Sequence, residues 1–325
     1  MFGYKSSMSQ NAVPAPIAAS IRPLSAKSVG AMLLLAIVWG LSIPITKLGL
    51  ESIPPITLTA MRFIVAVPLF LILASGRLRL PWKAVPSVIA LGVMGITLGN
   101  VAQSFGVQGT SASAGTIISA TIPIFIVMLA AIRLRQPVAG RQWIGLFVAF
   151  AGIALVAVGS GSGASDIART TAAGVAWMLI SAVAIAFYYV WSAELTNKYG
   201  TLPVAAWNAL AGLIAILPLA GWELSYEPMQ ITVQGVWAIL YLGVMVTVAG
   251  LFFWLYLLRT VPARIAASVQ YLQPVFGIAA ASAIFGDQVG LMFAGGIILI
   301  LCGLALAVAN KRPSRTSLPV RLPGA

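Results

Sequence analysis

Arg62 stands inside an apolar run, 54–74, about 12 Å from the nearer end if the run is a helix rising 1.5 Å per residue. An ionisable group at that depth is costly, and it marks a candidate site facing the interior of a helix bundle. The alternative is a structural arginine that pairs with helix carbonyls or reaches out toward the interface. Lys47, which follows Pro44 near the end of the run 29–48, reads as an interfacial cation. Polar neutral side chains form a second set. Thr97, Asn100, Ser104 and Gln108 recur at helical spacing with Gln103 beside them, and Ser268, Gln270, Tyr271 and Gln273 cluster in a later run. Such groups either line a water-filled path or bond one helix to another. Trp39, Tyr188, Trp254 and Tyr271 add aromatic surface suited to amphipathic or apolar solutes. With Ser119 they complete the substrate-binding candidates: Trp39, Arg62, Asn100, Gln103, Ser119, Tyr188, Trp254, Gln270, Tyr271 and Gln273. Pro44, Pro123 and Pro274 are the candidate hinges, since proline breaks the backbone ladder where helices can bend.

The missing residue types exclude other chemistry. There is no His and a single Cys, Cys302, so an intrachain disulfide and Cys/His zinc sites are ruled out, as are proteolytic sites that need a His base or ligand. The acids Glu51, Asp166, Glu194, Glu223, Glu227 and Asp287 are scattered singly, unlike the clusters that hold magnesium on a diphosphate. An enzyme is not expected, nor is a metal or other cofactor. No carboxylate sits clearly at mid-membrane, so the expectation for coupling is flux down the substrate gradient, or weak coupling at the membrane edge.

The elements that must position these residues follow from composition. The chain has 325 residues, of which 60% are hydrophobic and 8% charged, and its mean hydropathy is +1.02. Soluble domains carry about 25% charged residues, so the chain reads as an all-α polytopic membrane protein. A span takes about 20 apolar residues, and ten runs qualify: 29–48, 54–74, 86–107, 111–132, 141–158, 173–194, 203–221, 235–258, 263–285 and 290–309. The sequence Gly159-Ser-Gly-Ser-Gly-Ala-Ser between the fifth and sixth reads as a flexible linker. Residues 1–28 lack an apolar signal core and read as a cytosolic tail, as do residues 310–325.

The net charge of +13 invites a nucleic-acid reading, but its placement argues for an orientation signal. With ten spans and a cytoplasmic N-terminus, one side collects Lys5, Arg22, Lys27, Arg77, Arg79, Lys83, Arg133, Arg135, Arg141, Lys198, Arg259, Arg264, Lys311, Arg312, Arg315 and Arg321. The other side holds Lys47 and Arg169. That asymmetry predicts both termini in the cytoplasm and no nucleic-acid partner; the expected location is a bacterial inner membrane, the expected partners are the lipid bilayer and a small-molecule solute, and the expected state is a monomer or weak homodimer.

The chain also aligns with itself. A shift of 151 residues carries Leu91-Gly-Val-Met94 onto Leu242-Gly-Val-Met245, and pairs Gly99 with Gly250, Pro123 with Pro274, Phe125 with Phe276, Gly145 with Gly296 and Gly152 with Gly303. Five spans per half make the halves, 29–158 and 173–309 on either side of the linker 159–172, inverted-topology repeats. Such repeats are typical of secondary transporters with a midplane site. The same shift pairs Gln103 with Trp254 and Ser119 with Gln270.

The pattern resembles the ten-span EamA branch of the drug/metabolite transporter superfamily over residues 29–309. The matching features are Trp39-Gly40 with Pro44 and Lys47, Arg62-Phe63, Ser111-Ala-Ser-Ala114 leading to Pro123, and Gly145 with Gly152. In the second half they are Ala266-Ala-Ser268 leading to Pro274, Gly286-Asp287, and Gly296 with Gly303. Where that family often has an acid after the fourth span, this chain has Arg135-Gln136, while Asp287 fills the equivalent place in the second half. The resemblance implies export of amino acids, aromatic or other apolar ones among them, or of related small metabolites, by alternating access. The alternatives are a non-transporting assembly or lipid-handling protein, and a channel.

Overall fold

The computed structural model describes residues 25–76, 78–133, 135, 140–159, 170–261 and 269–308. Among them every regular element is helical. The helices are α1 (Ala26–Gly40), α2 (Ser42–Gly49), α3 (Pro55–Leu73), α4 (Val85–Leu91), α5 (Gly99–Gln108), α6 (Ala112–Ser119), α7 (Ile122–Arg133), α8 (Gly140–Gly159), α9 (Ala172–Tyr199), α10 (Thr201–Leu224), α11 (Val233–Leu240), α12 (Gly250–Thr260), α13 (Val269–Phe285) and α14 (Leu291–Val308). Two π-helical segments, Gly92–Leu98 and Tyr241–Ala249, join α4 to α5 and α11 to α12.

Among the described residues seven stretches are long and apolar enough to cross a membrane: Ala26–Gly49, Pro55–Leu73, Trp82–Gln108, Ala112–Arg133, Ala172–Tyr199, Thr201–Leu224 and Val233–Leu257. Three shorter apolar helices, Gly140–Val156, Leu272–Phe285 and Leu291–Leu306, accompany them. The chain is therefore an all-helical, multi-pass membrane protein. Large apolar side chains cover its outside, with Phe147, Ile72 and Trp237 about two-thirds exposed, as expected where lipid and not water is the solvent.

Sequence explains where these helices start and bend. Ser25, Ser111, Thr171 and Thr232 cap their helices by accepting from the backbone N–H three residues on, which satisfies a donor that has no intrahelical partner. Two of the three candidate hinge prolines sit beside a break. Pro44 follows the interruption at Leu41, where the Ser42 hydroxyl donates to the Trp39 carbonyl. Pro123 follows the break at Ala120 and Thr121, whose N–H groups bond only three residues back. Around Pro274, α13 runs on without interruption from Val269 to Phe285.

Packing of the short apolar helices rests on glycine. A Cβ on Gly303 would lie 2.5 Å from the Gly145 carbonyl, and one on Gly152 would lie 2.8 Å from the Gly296 carbonyl. The backbones of α8 and α14 meet there, and in lipid such close packing replaces the hydrophobic drive that water would supply. A larger core lies between α3 and α10, where Phe63, Phe70, Leu213 and Ile216 are buried together.

Candidate functional site

The two π segments end at Leu98 and Ala249, positions 151 apart, and each is followed by a glycine. A π turn widens the helix and detaches carbonyls from the usual i−4 donors. Side chains take up those carbonyls here. Asn100 Nδ2 donates to Gly95 O at 3.0 Å and Ile96 O at 3.1 Å, and Thr247 Oγ1 donates to Leu242 O at 2.8 Å. Thr247 also accepts from Arg62 Nε at 2.8 Å, so the second π segment fixes the guanidinium of α3. One residue away, the Val246 carbonyl accepts from Trp39 Nε1 at 3.1 Å. The Trp39 ring lies 5.9 Å from that of Trp254, and Tyr241 donates to the Val38 carbonyl beside it. Arg62 and the Trp39/Trp254 pair are thus anchored on consecutive residues of one π turn.

Opposite them, α9 presents Tyr188 and Tyr189. Tyr188 packs against Gly95 of the first π segment, where a side chain would collide with its ring. Its hydroxyl faces Asn208 of α10, and Tyr189 lies within electrostatic range of Arg62. Asn208 is fully buried, and neither amide atom reaches a hydrogen-bonding geometry. Backbone contacts place Asn208 and Arg62 alike: the Asn208 carbonyl packs on Gly92, and the Arg62 carbonyl packs on Gly243.

Of the candidates named from sequence, Trp39, Arg62 and Trp254 come together at the second π segment, and Tyr188 packs on the first. Asn100 spends its amide hydrogens on its own helix, and Ser119 donates to Gly115 O of its own helix at 2.9 Å. The rest of the third-run stripe joins helices: Thr97 donates to Gly212 O at 3.0 Å, and Ser104 bonds Thr59 at 2.9 Å. Gln103 is half-buried on α5. Gln273 is half-buried on α13, where its carbonyl approaches Gly40. Gln270 and Tyr271 fall in the first turn of α13, and their side chains lie outside the described residues, as does Ser268.

Sequence reading missed Thr247 and Asn208, and counted Tyr189 among the aromatics without placing it among the site candidates. Asn208 was detectable as a lone amide in the apolar run 203–221. Thr247 was not, because a threonine inside a helix ordinarily bonds its own backbone, as Thr247 does to Leu242 O, and nothing in the sequence shows that it also accepts from Arg62.

One end of the bundle is closed by polar clasps. Glu223 at the end of α10 is buried and accepts from Ile56 N, Thr57 N and Thr57 Oγ1 at 3.1, 2.7 and 2.7 Å, so it caps α3 behind Pro55, which has no N–H. Asp287 Oδ2 accepts from Ser113 N at 2.8 Å at the start of α6. Lys47 Nζ donates to the carbonyls of Val107, Gln108 and Thr110 at 3.0, 3.2 and 2.6 Å, at the negative end of α5. The opposite end shows an ion pair, half-buried Arg133 with exposed Glu194 at 2.7 Å. Among the described residues no group of His, Cys, Asp and Glu could hold a metal ion.

Residues 26–158 and 172–309 each match the family model described as EamA-like transporter family. The chain belongs to that family. A crystal structure of 18% sequence identity superposes with TM-score 0.59 over 87% of this EamA chain and 97% of its own, which shows a shared fold. Relatives include an uncharacterized transporter of Archaeoglobus fulgidus, 27% identical over 55% of this chain and 62% of its own. A probable terminal-alkyne amino-acid exporter of Streptantibioticus cattleyicolor is 28% identical over 58% and 62%. An S-adenosylmethionine/S-adenosylhomocysteine transporter of Chlamydia trachomatis is 28% identical over 60% and 61%. The chain spans about six-tenths of the length of these relatives.

Proposed function

We propose that this EamA-family chain is a secondary transporter that exports amino acids or related small metabolites across the bacterial inner membrane by alternating access, with both termini cytoplasmic. Ten spans form two inverted repeats of five, 29–158 and 173–309, and the solute site lies between them. The observation that carries this reading is the convergence at one π turn: Thr247 and Val246 of the second half hold Arg62 and Trp39 of the first. A solute touching these groups contacts both halves at once, so its binding can bias how they rock.

Three further observations support it. The π segments end 151 residues apart, matching the sequence shift. Family matches fall separately on the two halves, and two relatives bear the names of solute transporters. The Glu223, Asp287 and Lys47 clasps lie at the end that the charge asymmetry assigns to the outside, so this conformation is the outward-closed one.

The test is counterflow in proteoliposomes reconstituted with the full chain. Saturable exchange of labelled amino acids, lost in Trp254→Ala and Arg62→Gln, is the expected result. Absence of flux across a panel of amino acids, nucleosides and aromatic cations would favour a non-transporting membrane protein, and unsaturable flux would favour a channel.

A further inference from the structure

We infer that the Arg62 side chain is a carboxylate subsite, and that the solute is recognised as an organic anion whose amino group, if it has one, contributes no binding. This rests on the transport reading for its biological meaning, but its physical basis is a charge with no partner. Arg62 lies near the middle of the nineteen-residue helix Pro55–Leu73. Among the described residues the ion pair is Arg133 with Glu194, and no carboxylate lies within pairing range of Arg62. The described acids sit at helix ends: Glu223 and Asp287 are engaged in the clasps, Glu51 and Glu227 lie at that same end, and Glu194 is bound to Arg133. A cation held away from water costs several kcal/mol unless an anion meets it.

The geometry fits an arriving carboxylate. Thr247 engages Nε, which fixes the plane of the guanidinium, and the Phe63 ring lies 5.5 Å from Cζ. A planar fork held in that way suits the two oxygens of a carboxylate. Trp39 and Trp254, anchored one residue along the same turn, offer an apolar surface for the body of the solute. An ammonium group has no counterpart here, because no described acid reaches this part of the bundle. Asn208, fully buried and facing the Tyr188 hydroxyl, is a neutral hydrogen-bonding group suited to an amide or hydroxyl on the same solute.

Purified full-length protein in detergent tests this by calorimetric titration with phenylalanine, N-acetylphenylalanine and phenylalaninamide, which share one ring and differ in charge. N-acetylphenylalanine should bind at least as tightly as phenylalanine, and phenylalaninamide about tenfold more weakly or not at all. Arg62→Gln should remove most of the difference between acid and amide, and Arg62→Lys should keep part of it. Thr247→Val, which leaves the charge in place, should weaken acid binding by about threefold, and it serves if Arg62→Gln does not fold. Amide binding equal to that of the acids, an unchanged acid affinity in Arg62→Gln, or no binding by any of the three would overturn the inference. The transport reading fails separately. Charge-selective binding without flux sinks transport and leaves the carboxylate subsite standing, whereas flux that ignores solute charge does the reverse.

Discussion

Two charges on the same pair of packed helices, one buried and one half-buried, behave in opposite ways. Glu223 of α10 closes three hydrogen bonds to the start of α3, while Arg62, two turns further along α3, closes one through Nε to a threonine of another helix. The first charge is consumed by the fold. The second keeps its capacity for an anion, and in a medium that penalises unpaired charge so heavily that difference separates a structural ion from a binding group. It also separates the two regions they occupy: a clasped end where Glu223 and Asp287 are spent, and a middle where Thr97, Asn100 and Ser104 are spent but Arg62 meets no described carboxylate.

The largest expected effect comes from breaking the clasp. Glu223→Ala leaves two buried N–H groups at the start of α3 without acceptors, at a cost of roughly 3 kcal/mol. A lower melting temperature, with acid affinity unchanged in the fraction that stays folded, is the expected pair of results; lost affinity at native stability would put Glu223 in the site. Lys47→Met should cost about 1 to 2 kcal/mol, because three carbonyls at the end of α5 lose their charged donor, and denaturant unfolding would show it. Arg62→Gln should go the other way, leaving the unliganded protein as stable as before or slightly more so, since removing an unpaired cation relieves a penalty. A clear drop in its melting temperature would mean that Arg62 is structural and would dissolve the contrast. The smallest effect concerns coupling. With no carboxylate placed beside Arg62 among the described residues, an imposed pH gradient should change counterflow by less than about twofold, as proton-coupled carriers need a titrating relay in the membrane. Strong acceleration would show that the clasp carboxylates take and release protons as that end opens.

Much of the fold could be read from residue type alone. The apolar runs 54–74, 111–132 and 203–221 fall within a few residues of Pro55–Leu73, Ala112–Arg133 and Thr201–Leu224, because a lipid-spanning helix must be both continuous and apolar. Trp39 and Arg62 were legible as site candidates for the same reason, being unusual where they stand. The third-run stripe was harder to read. Thr97 and Ser104 have the spacing of a polar lining, yet their hydroxyls join helices, and periodicity reports which face a residue occupies but not whether water or another helix lies opposite. The π segments were invisible, since the glycine-rich run Gly92–Leu98 suits an ordinary helix equally well.

Composition, charge placement and the 151-residue self-match by themselves determine that the chain crosses a membrane many times, and they predict its orientation and its two related halves. The crossing is decided by the solvent, which acts on every residue independently. Tertiary structure decided which charges are spent and which are available. That depends on what each side chain meets across the bundle: Thr57 for Glu223, three carbonyls for Lys47, and for Arg62 a single threonine in a π turn.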